Sequence, residues 1–209
     1  MGKTQIFTQL KNLIFPPQCW HCNAPETHLL CESCRGLLDI LPIDSSKPIA
    51  TFEGQGPAWT LIKALKSGKA PKSAEGLAGY MALQYLKNNL PLPDLIVPVP
   101  QSLFRSLQVG YNPSLLLAIH LGKILNRPVF QLLKRKRQWI RQMNLDKERR
   151  YLLSVENFAW KKKVAIERKT ILLVDDVMGT GATLRACAQR LYEGFPLKIL
   201  KLGCVGQLI

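Results

Sequence analysis

From residue 59 onward the hydrophobic pattern alternates between two periods. Short runs rich in apolar residues, typical of buried parallel strands, occur at residues 95–97, 129–132, 171–174 and 197–205. Segments with apolar residues every three or four positions, typical of helices, occur at residues 59–66, 73–88, 114–124 and 182–192. This alternation predicts an α/β fold with a mainly parallel, doubly wound sheet, in which ligands bind at the carboxyl ends of the strands.

The beginning of the chain follows a different pattern. Apolar residues at positions 6, 7, 10, 13 and 14 predict a short amphipathic helix, which the prolines at positions 16 and 17 end. Because so short a helix is marginal alone, we expect its apolar face to pack on the rest of the protein. Residues 41–48 contain two prolines and two serines and predict a linker. We therefore predict two domains, residues 1–45 and residues 46–209.

Four of the six cysteines lie in the first domain, as two Cys-x2-Cys pairs with eight residues between them. Each pair places two thiolates on one tight turn, and two such turns complete a tetrahedral sulfur site that suits zinc. We therefore predict a closed, structural zinc knuckle with the ligands Cys19, Cys22, Cys31 and Cys34, followed by a brief helix to about Leu38. The alternatives are disulfides, which a reducing compartment disfavours, and replacement of one thiolate by His21 or His28.

Composition and charge exclude some classes of protein and indicate the kind of partner. Hydrophobic residues make up 47% and charged residues 21% of the chain, which argues against disorder. Since no apolar stretch approaches the about 20 residues that cross a bilayer, we predict a soluble, cytoplasmic protein without a transmembrane segment. The net charge is +15, and residues 134–169 contain thirteen basic and four acidic residues. Such a field favours nucleic acid, a phosphorylated metabolite or an anionic membrane surface, unless it is only a solvated basic face.

The clearest chemistry follows the strand at residues 171–174. Asp175 and Asp176 come directly after it, and the sequence Gly-Thr-Gly-Ala-Thr at residues 179–183 leads into a helix. The glycines allow a tight turn that presents N–H groups to an anion, and the helix N-terminus adds more. Without a Gly-Lys-Ser/Thr ending or a third glycine, the loop is neither a P-loop nor a dinucleotide fingerprint. We interpret it as a monophosphate site beside two carboxylates that suit ribose hydroxyls, directly or through Mg²⁺.

These residues resemble known families. Residues 174–184 resemble the phosphoribosyl pyrophosphate motif of type I phosphoribosyltransferases. The whole arrangement resembles the ComF family of competence-associated proteins, in which a zinc knuckle is fused to such a domain. The matching parts include Pro16-Pro17-x-Cys19, Asp94-Leu-Ile-Val-Pro98-Val99-Pro100 and Gly110-Tyr111-Asn112. The chain departs from the pattern at Val109, where similar sequences usually have arginine.

The resemblance implies a site for phosphoribosyl pyrophosphate with Mg²⁺. Asp175 and Asp176 would hold the ribose hydroxyls, and the 5-phosphate would bind Gly179, Thr180, Gly181, Ala182 and Thr183. The pyrophosphate would face the segment that contains Pro98, Val99, Pro100 and Arg105. Because no residue stands out as a general base, the sequence leaves open whether this phosphoribosyltransferase-like domain turns over or only binds its ligand.

The resemblance also implies a role in DNA uptake and natural transformation, with single-stranded DNA and DNA-uptake proteins as partners. The alternative function is a non-catalytic single-stranded DNA-binding protein that uses the ligand site as a structural or regulatory element. Basic residues interleaved with an aromatic residue suit single strands. The nucleic-acid candidates are Lys134, Arg135, Lys136, Arg137, Trp139 and Arg141. Trp139 suits stacking on a base and packing on the core equally well.

Overall fold

The computed structural model of the chain describes residues 17–43, 48–136, 155–161, 166–193 and 197–206. Within these ranges we number the helices and strands in chain order. They are α1 (Glu32–Gly36), β1 (Ile49–Glu53), α2 (Gly56–Lys66), α3 (Ser73–Lys87), β2 (Leu95–Pro98), α4 (Leu103–Val109), α5 (Pro113–Leu125), β3 (Leu133–Arg135), β4 (Phe158–Trp160), β5 (Thr170–Met178), α6 (Ala182–Tyr192) and β6 (Lys198–Gly206). Among the described helices, none is both long and apolar enough to cross a membrane.

The main sheet has four parallel strands in the order β1-β6-β5-β2, and β3 and β4 form a separate antiparallel ribbon. Strand β5 is therefore central, with Val174 opposite Pro98 on one side and Leu202 on the other. The expected α/β class with a mainly parallel sheet is confirmed. The strand expected at residues 129–132 is reduced to one parallel bridge between Val129 and Ile96, and β3 begins only at Leu133.

Both faces of the sheet are covered. Ile96, Leu172 and Val174 lie in one buried cluster with residues of α2, α3 and α5, whereas Val97 and Leu173 lie in a second cluster with residues of α6 and the β3–β4 ribbon. Because neighbouring residues of each central strand face opposite cores, both must be apolar, which explains the continuous apolar runs in the sequence. This arrangement confirms the doubly wound architecture.

The four-cysteine segment shares its core with the α/β fold. Cys19, Leu30 and Cys34 belong to the same buried cluster as Leu61 and Leu77 of α2 and α3. The helix expected after Cys34 is α1, which begins earlier, at Glu32, and ends at Gly36. The amphipathic helix expected at residues 6–14 lies outside the described residues, as does the boundary between residues 45 and 46, which stays a prediction.

Three elements were not expected from the sequence: β1, α4 and the β3–β4 ribbon. Strand β1 lacks a continuous apolar run because its central Thr51 is polar, yet this side chain is buried and its hydroxyl donates to Gln84 Oε1 at 3.0 Å. Helix α4 has no buried residue, although Leu103, Phe104 and Leu107 follow a helical spacing and are exposed. Its boundaries are local: Ser102 Oγ accepts from Arg105 N at its start, and Gly110 adopts a left-handed conformation at its end.

Candidate functional site

The four cysteines of the N-terminal segment form one cluster. Their sulfur atoms all lie within 4.8 Å of one another, and Cys22 Sγ and Cys31 Sγ are 3.6 Å apart. A tetrahedral zinc ion with Zn–S bonds of about 2.3 Å requires sulfur–sulfur distances of about 3.8 Å, so the donor set fits the ion. The histidines have other partners: His21 Nδ1 lies 3.1 Å from Thr60 Oγ1, and His28 Nδ1 lies 2.9 Å from Glu26 Oε1. The arrangement is consistent with a structural four-cysteine zinc site.

The turn around Cys19 favours the thiolate form that zinc requires, whereas burial raises the pKa of the Cys34 thiol. Burial raises the pKa of the Cys19 thiol, but backbone N–H groups of Cys22, Cys31 and His21 outweigh this effect and bring the pKa down to about 6. N–H donors directed at sulfur stabilise negative charge in the same way as those at any anion. The short spacing of the Cys-x2-Cys pairs therefore supplies the geometry of the site, and the turn around Cys19 supplies part of its electrostatics.

The two acidic residues lie on the central strand. The sequence places Asp175 and Asp176 after a strand that ends at Val174, but β5 continues to Met178 because the equally long β6 pairs with it up to Gly206. Both side chains are buried, with Asp175 7% and Asp176 9% exposed. Burial of two adjacent carboxyl groups requires nearby partners, and the structure provides different ones for each.

Asp175 is held by the start of α5. Ser114 Oγ donates to Asp175 Oδ1 at 3.0 Å, and the backbone N of Asp176 donates to the same oxygen at 2.9 Å. Ser114 is fixed in turn by Asn112, whose Oδ1 accepts from Ser114 N at 3.0 Å. Burial, and then repulsion by Asp176, raise the pKa of Asp175 to about 7 despite these donors.

Asp176 is paired with a cation from α2. Lys66 Nζ lies 3.3 Å from Asp176 Oδ2, and the backbone N of Val177 donates to Asp176 Oδ1 at 2.7 Å. Lys66 is the last residue of α2, and this helix end is fixed by Tyr111, whose hydroxyl donates to Leu65 O at 2.6 Å. Sequence reasoning assigned no site role to Lys66 or Ser114, which are 110 and 61 positions away from their carboxylate partners.

The Gly-Thr-Gly loop surrounds a small cavity. Residues 179–183 enclose a volume of about 60 Å³ together with Asp175. Gly181 has φ +73°, in the left-handed region that favours glycine, and its residue position caps the start of α6. Thr180 Oγ1 accepts from Ala182 N at 3.3 Å, and Arg185 donates to Thr180 O at 2.7 Å. The loop predicted to bind a phosphate is thus a formed turn at a helix N-terminus.

A second cavity of about 230 Å³ adjoins the first. Its cationic wall residues are Lys66, Arg105 and Arg135, and its polar ones include Gln101, Ser102 and Asn112. Of the segment expected to face a pyrophosphate, Val99, Pro100 and Arg105 line this cavity, whereas Pro98 ends β2 beside Val174. Asp175, Val177 and Thr183 line both cavities. The two cavities therefore meet at Asp175, and Asp176 lines only the larger one.

The nucleic-acid candidates fall into two groups. Lys134, Arg135 and Lys136 are exposed at β3 and just after it, and the guanidinium of Arg135 lies 5.9 Å from the centre of the Phe158 ring. Because Arg135 also lines the larger cavity, the structure connects this basic strand with the carboxylate site. Arg137, Trp139 and Arg141 lie outside the described residues.

Comparisons with known proteins identify relatives along most of the chain. No family model matches it. The chain is 34% identical over 181 residues to competence protein F of Haemophilus influenzae, which covers 84% of this chain and 78% of the relative. It is 28% identical over 180 residues to DNA utilization protein YhgH of Escherichia coli, with 83% and 77% covered.

Solved structures with some similarity include phosphoribosyltransferases. Adenine phosphoribosyltransferase from Leishmania tarentolae matches with a TM-score of 0.45 and 13% identity over 77% of this chain and 79% of that chain. Purine phosphoribosyltransferase from Pyrococcus horikoshii matches with a TM-score of 0.38 and 18% identity over 59% and 66%. These scores are too low to assign a fold or a function, so the fold class follows from the parallel sheet itself.

The identity with competence protein F extends over most of both chains. The structure adds the four-cysteine cluster followed by a parallel α/β fold, which is the arrangement that the sequence resemblance implied. The chain therefore belongs to the ComF family, the family of competence protein F.

Proposed function

We propose that this chain is a competence protein that acts in DNA uptake and binds phosphoribosyl pyrophosphate with Mg²⁺ in its two adjoining cavities. The observation that carries the proposal is that Asp175 lines both cavities. The small cavity lies at the glycine-rich turn of residues 179–183, and the larger cavity is lined by three cationic side chains. Phosphoribosyl pyrophosphate has the matching order of groups, with a phosphate at one end, two vicinal hydroxyls in the middle and a pyrophosphate at the other end.

Different residues would bind the 5-phosphate, the ribose and the pyrophosphate of the ligand. The 5-phosphate would accept hydrogen bonds from the loop at residues 179–183, where the N-terminal end of α6 also favours negative charge. Asp175 and Asp176 would hold the ribose hydroxyls, directly or through Mg²⁺. The pyrophosphate would lie in the larger cavity, where Lys66, Arg105 and Arg135 offset its charge.

The three cationic side chains of the larger cavity would also favour phosphoribosyl transfer. In phosphoribosyl transfer, an acceptor attacks the anomeric carbon while the bond from that carbon to the pyrophosphate oxygen breaks, and the leaving group gains negative charge. Lys66, Arg105 and Arg135 would stabilise this developing charge together with Mg²⁺. Release of pyrophosphate on addition of an acceptor would show that the chain is a transferase as well as a binding protein.

Calorimetric titration tests the binding site. We expect the zinc-loaded protein to bind Mg²⁺-phosphoribosyl pyrophosphate in the micromolar range and the double variant Asp175→Asn/Asp176→Asn to bind it at least about 100-fold more weakly, since hydrogen bonds to charged groups contribute about 1.5–3 kcal/mol each. Asp94→Asn is the matched control, because Asp94 lies before β2 and accepts from Thr170 N, outside both cavities. Absence of binding to folded wild-type protein would overturn the proposal.

A second candidate function is single-stranded DNA binding. The observation that favours it is the run of three exposed basic residues at β3, in a chain with a net charge of +15. Binding through phosphate contacts releases counterions, so affinity for a labelled oligonucleotide should fall steeply between about 50 and 200 mM salt.

Substitution of the exposed lysines distinguishes oligonucleotide binding from phosphoribosyl pyrophosphate binding. Lys134→Ala/Lys136→Ala should weaken oligonucleotide binding and reduce its salt dependence, while leaving phosphoribosyl pyrophosphate binding unchanged, because neither residue lines a cavity. Lys87→Ala/Lys123→Ala, at the ends of α3 and α5, is the matched control. Equal oligonucleotide affinity in all three proteins would argue against the basic strand as the DNA site.

A further inference from the structure

The turn between α4 and α5 connects three elements that form the larger cavity. Gly110 ends α4 in the left-handed conformation, with φ +84°, and Pro113 begins α5. Tyr111 and Asn112 lie between them, and both side chains are half-buried. Each side chain places its polar atoms on the backbone of elements that are distant in the chain.

Asn112 connects two walls through both ends of its amide. Its Nδ2 donates to Val99 O at 2.9 Å, and its Oδ1 accepts from Ser114 N at 3.0 Å. Val99 follows β2 and lines the larger cavity, whereas Ser114 Oγ donates to Asp175 Oδ1. One planar side chain therefore links the wall that would face the pyrophosphate to the carboxyl group that would hold the ribose.

Tyr111 connects the same turn to the end of α2. Its hydroxyl donates to Leu65 O at 2.6 Å, and the next residue, Lys66, lines the larger cavity. A close approach beside the turn adds to this contact, because a Cβ added to Gly68 would lie 3.4 Å from Val109 O. The position of the Lys66 backbone is therefore tied to the turn that also holds Val99.

We propose that Tyr111 and Asn112 are positioning residues that fix the spacing between the two cavities, so that one ligand can fill both. The inference rests on the proposed function, because it concerns a ligand that spans the site. Such a ligand binds with full affinity only when both of its ends meet their partners at once, and a displacement of about 1 Å is enough to weaken it. Side chains whose own polar atoms are held by the backbone prevent such a displacement.

The hydrogen bonds of Asn112 favour positioning over direct contact with the ligand. Asn112 itself lines the larger cavity, so a direct contact is the alternative. However, the oxygen and the nitrogen of its amide already have backbone partners. Rotation of the amide towards a ligand would also take the donor away from the carbonyl of Val99, a residue that is only 5% exposed. Because an unpaired buried carbonyl is unfavourable, the amide keeps its orientation.

Asn112→Ser tests the connection between the cavities. Serine caps a helix about as well as asparagine, but its short side chain gives up the bond to Val99 O. Since each cavity keeps its own groups, ribose 5-phosphate and Mg²⁺-pyrophosphate should each bind nearly as in wild type. Mg²⁺-phosphoribosyl pyrophosphate must fill both cavities at the fixed spacing, and calorimetry should show that it binds about tenfold more weakly.

Asn88→Ser is the matched control for this experiment. Asn88 Nδ2 donates to Gln84 O at 2.8 Å at the end of α3, and neither residue lines one of the two cavities. This variant should bind all three ligands as wild type does. Wild-type affinity for phosphoribosyl pyrophosphate in Asn112→Ser would overturn the inference. An equal loss for Mg²⁺-pyrophosphate and for the whole ligand would assign Asn112 to direct contact with the pyrophosphate and would also overturn it.

Tyr111→Phe provides a second test, because it removes a single hydroxyl. Loss of the bond to Leu65 O releases the end of α2, so affinity for the whole ligand should fall about fivefold and affinity for either fragment should fall less. Tyr85→Phe is the matched control, since the Tyr85 hydroxyl donates to Pro91 O at 2.5 Å, away from both cavities. Equal affinities in the two variants would show that the Tyr111 hydroxyl stabilises only the fold and would contradict its positioning role.

The fragments also distinguish a failure of this inference from a failure of the proposed function. If wild-type protein binds no phosphoribosyl pyrophosphate, the proposed function fails and the positioning roles fail with it. If wild-type protein binds the ligand but the variants lose the same factor for the whole ligand and for its fragments, the proposed function stands and the positioning roles are wrong. A loss that is larger for the whole ligand than for either fragment is the result that we expect.

Discussion

The four-cysteine cluster and the proposed ligand site are assembled in opposite ways. The four cysteines lie within sixteen consecutive residues, and their spacing alone brings the sulfur atoms within 4.8 Å of one another. The proposed ligand site instead joins Lys66, Ser114 and Asp176, which come from the end of α2, the start of α5 and the middle of β5. The spacing of a local motif thus determines the positions of its side chains. The positions of side chains from distant parts of the chain depend instead on the sheet that brings them together.

Helix α2 connects the two regions. Its Leu61 belongs to the buried cluster that also contains Cys19 and Cys34, and its last residue, Lys66, pairs with Asp176. The four-cysteine segment is therefore part of the core that supports one wall of the larger cavity. The comparison predicts that damage to the knuckle affects stability first, whereas damage to the ligand site affects binding with little change in stability.

Zinc removal should have the largest effect. Because metal binding and folding are coupled at such sites and Cys19 and Cys34 are buried in the core, a chelator or Cys34→Ser should lower the melting temperature by more than about 10 °C. Thermal unfolding followed by circular dichroism, together with zinc release measured by a metallochromic dye, checks this.

Cys187→Ala is the control for the zinc experiment. Cys187 is buried in α6, far along the chain from the cluster, so this variant should retain one zinc per chain. A chain that loses its zinc without any change in melting temperature would show that the knuckle does not support the core, and the contrast drawn above would fail.

Lys66→Gln should separate binding from stability. Glutamine keeps a hydrogen-bond donor beside Asp176, which also accepts from Val177 N, so the melting temperature should fall by only a few degrees. Loss of a cation beside the proposed pyrophosphate should weaken Mg²⁺-phosphoribosyl pyrophosphate binding by roughly tenfold or more. The measurement is calorimetry beside a melting curve.

Lys63→Gln provides the matched control, since Lys63 lies one turn earlier in α2 with its Nζ 5.9 Å from the centre of the Trp59 ring. If both variants bind the ligand as well as wild type does, Lys66 has only a structural role.

The sequence was sufficient for features that depend on neighbours in the chain. It predicted the cluster of four cysteines and helix α6 with its observed bounds, whereas the roles of Asp175, Asp176 and the loop at residues 179–183 stay predictions. It did not reveal Lys66, Ser114 or the position of Arg135, because their roles arise only when α2, α5 and β3 are placed beside β5. The sequence pattern also predicted an end of β5 at Val174, four residues too early. Buried strands rarely contain acidic residues, and here Ser114 and Lys66 stabilise the two carboxyl groups.

The pKa of Asp175 predicts a pH dependence of binding. Burial and Asp176 raise this pKa to about 7, so the carboxyl's contribution to stability is complete below its unfolded value of about 3.9 and is lost as the pH rises through about 7. A ligand that requires the carboxylate should bind about tenfold more tightly at pH 8 than at pH 6. The same titrations with Asp175→Asn measure how much of the pH dependence comes from the ligand's own phosphates. An identical pH dependence in this variant would exclude Asp175 as the source of the effect.

The phosphate loop should show the smallest effect. Gly181→Ala places a side chain at φ +73° and within 3.3 Å of the Arg185 guanidinium, at a backbone cost of roughly 1 kcal/mol, so ligand affinity should fall about fivefold. Gly179→Ala has open space and no such backbone constraint, and it should bind nearly as wild type. Equal affinities would show that the turn at Gly181 is not required for phosphate binding.

Competition between fragments of the ligand tests the central claim most directly. If the 5-phosphate occupies the cavity at residues 179–183 and the pyrophosphate occupies the cavity beside Lys66 and Arg105, ribose 5-phosphate and Mg²⁺-pyrophosphate should bind together. Each should also compete with phosphoribosyl pyrophosphate in calorimetric titrations. Mutual exclusion of the two fragments, or phosphoribosyl pyrophosphate binding that neither fragment weakens, would contradict a site formed by two cavities that meet at Asp175.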